Sequence, residues 1–309
     1  MKMLPIFYFR PTLVIIDDNK QFTDSLAESL RDRFKVIVFN KEHELLEWIE
    51  RYKSTLLNTS FINDFSESEY SYDVLTSLVE LNLNKIVELA HNKEKYDEIG
   101  VLIADYVMPE INGIDLCKKL AHSKFKKLLL TGIADYKMGV AAMNEHAIDF
   151  FINKEIARDE LIAKIEHYAF EYYTEITTSL ATHLEAKQKL PLSDQHFINY
   201  FTNFIKVNQI KEYYLIDKNG SLLLINELGK KSVFIVHTDT SLEGITTIIE
   251  DDPEMSAFID TLKTRASIPW FGIGTSIDYN NLSTWQNHLY TPETICGNSK
   301  YYVHHHKID

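Results

Sequence analysis

The sequence predicts an α/β chain, with a parallel sheet covered on both faces by helices and a smaller α+β part behind it. Three observations predict this. Short runs that are apolar throughout, such as TLVII at 12–16 and GVLIA at 100–104, alternate with segments whose apolar residues recur at helical spacing. Strands without polar alternation are buried on both faces, as in a parallel sheet between two helix layers. Several of these runs also stop at a polar or charged residue, and a parallel sheet gathers the carboxyl ends of its strands along one edge. A length of 309 residues with 45% apolar content is enough for about two such bodies.

The elements follow in order. Thr12–Ile16 is the first strand, and NKQFTDSLAESLRDR is its helix, on Phe22, Leu26 and Leu30. Lys35–Phe39 and KEHELLEWIE form the second unit. IGVLIA with DLCKKLAH, KKLLL with YKMGVAAMNEH, and IDFFI with RDELIAKIEHYAF form the third, fourth and fifth. The connection from Asn40 to Ile99 is far longer than a βαβ crossover needs. An insertion is therefore expected at about 55–98. It comprises a Ser-, Asn- and Asp-rich loop, SFINDFSESEYSYD, and an extra helix on Leu75, Leu78, Leu81 and Leu89. It reads either as a tolerated surface addition or as an interaction surface. Asp159–Leu190 is expected as one long helix. Its stripe of Leu161, Ile165, Tyr168 and Tyr172 continues through Ile176, Leu180 and Leu184, and Pro191 ends it. Residues 171–190 then act as a linker helix into a C-terminal α+β domain at 191–309. There EYYLID, SLLLIN and KSVFIVH make an antiparallel meander. SLEGITTIIE and PEMSAFIDTLKTR are its helices, KYYVHH is a last strand, and Tyr213, Tyr214, Phe234, Trp270, Phe271 and Trp285 are its expected core.

Charge and composition narrow the function. A net charge of −13 argues against bulk binding to nucleic acid or anionic membranes, which takes clustered Lys and Arg. Two distant cysteines, Cys117 and Cys296, do not make a disulfide framework and suit a reducing compartment. The apolar MKMLPIFYF is broken by Pro5 and stopped by Arg10, too short for a signal segment or a span. A soluble cytoplasmic protein is expected.

The strand ends carry the chemistry. The first strand ends in Asp17-Asp18, the third in Asp105 and the fourth in Thr131-Gly132, while Lys154 follows the fifth. Three carboxylates on one sheet edge repel each other unless a cation lies among them, and hard oxygen donors at that density suit Mg²⁺. A carboxylate balanced by Mg²⁺ and an ammonium is also a competent nucleophile toward phosphorus.

With Asp17-Asp18, Asp105, the MPEING stretch with Pro109 and Gly113, Thr131-Gly132 and Lys154 in this order, residues 12–170 resemble the receiver domain of two-component response regulators. This is the flavodoxin-like family of the chemotaxis regulator. The resemblance implies a five-stranded receiver over 1–170 and a set of roles. Asp105 would accept a phosphoryl group from a histidine kinase or phosphotransfer protein. Asp18 and Asp105 would ligate Mg²⁺, with Asp17 and the backbone carbonyl of Val107 assisting. Lys154 would hold a phosphoryl oxygen, Thr131 would turn toward the phosphoryl group, and Phe151 would be the switch aromatic. The chain departs from the family at Glu155, where receivers usually carry Pro. The insertion is a second departure. Val107 and Ile133 stand where receivers direct the attacking water, and both are apolar.

Other readings are weaker. A haloacid-dehalogenase-like site needs an acid two residues past its nucleophile, where this chain has Val107. GIGTSID at 272–278 lacks the Lys-Ser or Lys-Thr of a phosphate loop, and His304–His306 read as a solvated tail rather than a metal site. From Glu171 onward 11 Lys and Arg face 17 Asp and Glu, whereas a DNA-binding output should be basic. The expected output binds a protein or small ligand. The alternatives are an enzyme of unrecognised type and a transcription regulator with an atypical domain. The stripe beyond Phe170 needs a partner, either the second domain or the same helix of a second chain in a homodimer.

Overall fold

The all-apolar runs do form one parallel sheet. The structure, a computed structural model, describes residues 3–64, 79–132, 136–185, 191–273 and 285–308. In chain order the first elements are β1 (Phe7–Tyr8), β2 (Thr12–Ile16), α1 (Lys20–Leu30), β3 (Lys35–Phe39), α2 (Glu42–Arg51), β4 (Ile62–Asp64), β5 (Val79–Leu81) and α3 (Leu83–His91). Next come β6 (Ile99–Asp105), α4 (Gly113–Lys119), β7 (Lys126–Thr131), α5 (Tyr136–Asn144), β8 (Phe150–Asn153) and α6 (Arg158–Glu185). The rest is α7 (Gln195–Val207), β9 (Ile210–Leu215), β10 (Leu222–Asn226), β11 (Lys231–Thr238), α8 (Asp239–Ile249), α9 (Ser256–Lys263), β12 (Ile268–Pro269), β13 (Leu289–Tyr290), β14 (Glu293–Cys296) and β15 (Lys300–Lys307).

The chain divides into two compact units. One comprises Phe9–Thr59 and Asn92–Ile176; the other comprises Met1–Tyr8, Ser60–His91 and Thr177–Asp309. In the first unit the strands run β3-β2-β6-β7-β8, all parallel, with Leu13 opposite both Val36 and Val101. Such an order needs helical crossovers, and α1 and α4 start where an asparagine side chain caps them. Asn19 accepts from the Phe22 N–H at 3.1 Å, and Asn112 accepts from the Asp115 N–H at 2.9 Å. One face of the sheet, Leu13, Ile15, Val101, Ile103, Leu128 and Leu130, packs with Leu26 and Leu30 of α1 and Ile165 and Ala169 of α6. The alternate residues Val14, Ile16, Leu102 and Leu129 are equally buried, as strands between two helix layers must be. Leu161, Ile165, Tyr168 and Tyr172 thus form the expected inward stripe of α6. The helix is described to Glu185; residues 186–190 of the expected linker lie outside the described residues.

The second unit holds an antiparallel sheet of order β1-β9-β10-β11-β15-β14, with the expected meander at its centre. Asp194 caps α7, and Thr238 with Ser241 forms a capping box on α8. Phe197, Phe201 and Phe234 make an aromatic core, with Phe201 and Phe234 rings 5.3 Å apart. Tyr213, Tyr214 and Trp285 are fully buried as expected, while Trp270 and Phe271 are half-buried.

Three expectations change. The extra helix of the insertion is shorter and preceded by a strand. Leu81 sits in β5 opposite Ile62, and α3 begins only after Asn82, whose side chain accepts from the Lys85 N–H. Leu75 and Leu78 lie outside the described residues. The insertion and the N-terminal strand also belong to the unit that holds the C-terminal sheet, so the expected boundaries at 170 and 191 do not coincide with these units. Phe7 pairs with Tyr214 as an edge of that sheet. Finally, His304–His306 are not a solvated tail but part of β15, between β11 and β14. His305 packs edge-on against Phe204, while His304 and His306 lie against Tyr290 on the other face.

Candidate functional site: an acidic cluster at the strand ends

The sheet order places the ends of β2, β6, β7 and β8 side by side; β2 supplies two polar groups and each of the others one. β2 runs into Asp17, which is fully buried, and Asp18, which is exposed; β6 ends in Asp105, 4% exposed. The carboxylate oxygens of Asp17, Asp18 and Asp105 all lie within 4.8 Å of one another. Across an octahedral Mg²⁺, opposite oxygens stand about 4.2 Å apart, so the three carboxylates fit the donor set of a hard divalent cation.

Lys154 follows β8, and its Nζ stands 2.8 Å from both Asp17 Oδ2 and Asp105 Oδ1. The other Asp17 oxygen accepts from the Asn19 N–H at 2.8 Å. The ammonium also lies 4.9 Å from the centre of the Phe22 ring. Lys154 reaches this position because its N–H donates to the Thr131 carbonyl at 3.0 Å, extending the β7–β8 ladder by one residue. The Glu155 N–H donates to Asn153 Oδ1 at 2.9 Å, a bond that a proline at 155 could not make. The departure from the receiver pattern is thus absorbed by a different turn, with the lysine still on the acids.

Burial raises the Asp105 carboxyl above its ordinary range; the Lys154 hydrogen bond opposes this, while the Asp17 charge adds to it. Burial alone would lower Lys154, but its hydrogen bonds to Asp105 and Asp17 outweigh this and raise it. The two acids thus favour the charged form of Lys154, which engages only the Oδ1 oxygen of Asp105.

The loop after Asp105 is closed by Gly113, whose N–H donates to the Tyr106 carbonyl at 3.0 Å. A Cβ on Gly113 would overlap the Asp105 carbonyl oxygen and Leu129, so this glycine is a close-approach residue. Thr131, 3% exposed, points its hydroxyl at the Gly132 carbonyl, 3.1 Å away. Phe151 is half-buried in β8, and a Cβ on Gly139 of α5 would collide with its ring. Val107 is 65% exposed beside the cluster. Ile133 lies outside the described residues. Sequence reasoning missed Asn19 and Phe22, which steady Asp17 and Lys154. Asn19 carries a readable signal as a helix cap directly after the acid pair.

A five-stranded parallel sheet with acids, a hydroxyl and an ammonium on its carboxyl edge defines a receiver-type signalling domain. The comparisons with known proteins agree, and the chain carries a response regulator receiver domain: residues 75–166 match the family model described as "Response regulator receiver domain". That range contains Asp105, Thr131 and Lys154 but not Asp17 and Asp18, which the fold brings back across the insertion. The transcriptional regulatory protein HptR of Staphylococcus aureus is 27% identical over 150 residues, 48% of this chain and 58% of HptR. FixJ of Bradyrhizobium diazoefficiens, also called a transcriptional regulatory protein, is 38% identical over 69 residues, 22% of this chain and 33% of FixJ. The chain therefore spans little more than half the length of HptR. The solved structure of the Legionella pneumophila response regulator LqsR superposes with a TM-score of 0.80 at 23% identity, covering 99% of this chain and 89% of that one. The likeness to LqsR extends the shared fold to the C-terminal sheet. Among the described residues no helix is long and apolar enough to cross a membrane.

Proposed function

We propose that the protein is a phosphorylation-controlled signalling protein. Asp105 takes a phosphoryl group from a histidine kinase or phosphotransfer protein, and the C-terminal part responds by binding a protein or a small ligand. The observation that supports this best is Lys154 Nζ at 2.8 Å from both Asp17 and Asp105, beside a third carboxylate. In this reading an Asp105 oxygen attacks phosphorus in line, and the bond from phosphorus to the donor nitrogen breaks. Lys154 holds one phosphoryl oxygen. Mg²⁺, held by Asp18, Asp105 and the Val107 carbonyl with Asp17 assisting, supplies charge neutralisation when bound. Thr131 then turns its hydroxyl from the Gly132 carbonyl to the phosphoryl group, and Phe151 moves inward behind it, changing the α5 face that its ring supports.

Two rivals concern the output. HptR and FixJ are called transcriptional regulatory proteins, which favours a DNA-binding output; the acidic balance of residues 171–309, 11 basic against 17 acidic, weighs against it. An enzyme of unrecognised type is the other.

The test of the receiver reading is labelling by acetyl phosphate. Wild type labels with Mg²⁺ and not in EDTA, and Asp105→Asn does not label in either. Undiminished labelling of the Asn variant overturns the assignment.

A further inference from the structure

Lys154 has to be held at Asp105, yet its own segment does little to hold it. The ammonium sits on a flexible four-carbon stem, the side chain is 30% exposed, and Glu155 after it lacks the fixed φ of a proline. Two carboxylates fix the ammonium, Asp17 Oδ2 and Asp105 Oδ1, each 2.8 Å away. Both belong to the triplet whose spacing fits a divalent cation. With a cation among them, part of their charge is neutralised and their hold on the lysine weakens. A contact for which no cation competes keeps its strength in that state.

The first turn of α1 supplies such a contact. The centre of the Phe22 ring stands 4.9 Å from Lys154 Nζ, within the distance of about 6 Å at which a ring face attracts an ammonium. A closed circuit of contacts places the ring. Asp17 Oδ1 accepts from the Asn19 N–H at 2.8 Å, and Asn19 Oδ1 accepts from the Phe22 N–H at 3.1 Å. The ring meets the ammonium, and the ammonium returns to Asp17 Oδ2. Asn40 ties the same turn down from the end of β3, its Nδ2 donating to the Asp17 carbonyl at 2.8 Å and to Thr23 Oγ1 at 3.3 Å. Phe22 also packs against the apolar cluster that contains Leu26 and Ile165, so its half-buried ring has a firm support.

We propose that Phe22 is a positioning residue for Lys154, whose ring keeps the ammonium at Asp105 when a divalent cation occupies the acidic cluster. It acts through the lysine alone, in a turn that lacks the usual proline. The consequence for phosphoryl transfer rests on the phosphoacceptor reading of Asp105; the placement of the lysine does not. Leucine at this position would keep the apolar packing and lose the negative ring face. Ring fluorination would keep the shape and weaken that face step by step. The two changes therefore separate the attraction from the packing.

The experiment uses the full chain with isotope-labelled lysine, in EDTA and with saturating Mg²⁺. NMR relaxation of the Lys154 ε-methylene, identified by its loss in Lys154→Arg, reports how firmly the ammonium is held. Wild type is expected to stay ordered in both conditions. Phe22→Leu is expected to stay ordered in EDTA, where the ion pairs persist, and to loosen with Mg²⁺, while Phe22→Tyr, which keeps the ring face, follows wild type. Lys164, 5.1 Å from the Phe150 ring, is expected to be unaffected. With acetyl phosphate and Mg²⁺, labelling of Phe22→Leu should be slower by about two- to fivefold, and labelling should slow progressively as fluorine atoms are added to the Phe22 ring. A Lys154 as ordered in Phe22→Leu as in wild type with Mg²⁺ overturns the proposal. So does a rate indifferent to ring fluorination, which leaves packing as the cause, or an equal loosening of Lys164, which marks general repacking. Absence of label on wild type overturns the phosphoacceptor reading instead, and the relaxation of Lys154 still decides the role of Phe22.

Discussion

Replacing Lys154 with Met tests the electrostatic logic of the acidic cluster directly. The ammonium is the shared partner of two side chains that are almost fully buried, Asp17 at 1% and Asp105 at 6% side-chain exposure. Removing one partner of a fully buried ion pair costs about 3–5 kcal/mol, because the remaining charge is left without compensation. Lys154 is itself 30% exposed, so water recovers part of this, and about 2–3 kcal/mol is expected without a divalent cation. Native-state hydrogen exchange of the amides in β2 and β6 reports this for the receiver sheet alone. The expected effect is exchange faster by about 30- to 150-fold, at 1.4 kcal/mol per factor of ten. Saturating Mg²⁺ should narrow the gap, since a cation among the carboxylates takes over the ammonium's part. In an Asp105→Asn background one of the two carboxylates is already neutral, and the same substitution should cost about half as much. Unchanged exchange in β2 and β6, or an equal loss in both backgrounds, would refute the shared-partner account.

Three further outcomes are expected. Val107 is exposed beside the acceptor and has no group to orient water, so a phosphoryl group on the purified protein should persist for minutes by intact-mass spectrometry; decay within seconds would contradict this. Ile176 and Leu180 are half-buried on α6 beyond the receiver stripe. If they join two chains, Ile176→Asp/Leu180→Asp should sediment as a monomer with the receiver intact, and a wild type that is monomeric with and without phosphodonor rules the dimer out. Asp194 accepts from the His196 N–H at 2.9 Å, the Asn298 N–H at 2.5 Å and the Tyr301 hydroxyl at 2.9 Å. Burial pushes its carboxyl up, but these bonds outweigh that and hold it below its ordinary value. Its contribution is therefore present above that ordinary value and lost as pH falls through the folded one. Asp194→Ala should cost about 2–4 kcal/mol near neutral pH and flatten the acid limb of stability measured by exchange in α7 and β15; an unchanged acid limb would show that the carboxylate is not what titrates.

The parallel sheet was legible because burial on both faces leaves its strands apolar throughout, and the site because each acid, hydroxyl or lysine interrupts or follows such a run. The insertion was legible as excess length but not as structure. Leu81 has helical spacing to Leu78 yet pairs with Ile62, a choice made by a ribbon partner rather than by local periodicity. β1 carries no local signal at all, since FY between Pro5 and Pro11 finds its partner only at Tyr213 and Tyr214. The helix α7 was not expected, although Asp194 as a cap, followed by Phe197, Phe201 and Phe204 at helical spacing, points to it. The turn at Glu155 was not legible, because its hydrogen bond to Asn153 replaces the usual proline by a different local solution.

The two units alternate along the chain, which passes from one to the other after Tyr8, Thr59, His91 and Ile176. This has a consequence for how the protein is made. The edge strand β1 is synthesised about 200 residues before the strand it pairs with. At roughly 5–20 residues per second, Phe7 and Tyr8 wait about 10–40 s for a partner. The receiver sheet can close in the meantime, while segment 60–91 belongs to a unit whose main sheet has not yet been made. A fragment beginning at residue 191 lacks that strand and that segment, so it should be a poor folding unit. The signalling half cannot be exchanged by recombination at a single junction, as a cassette joined by one linker can.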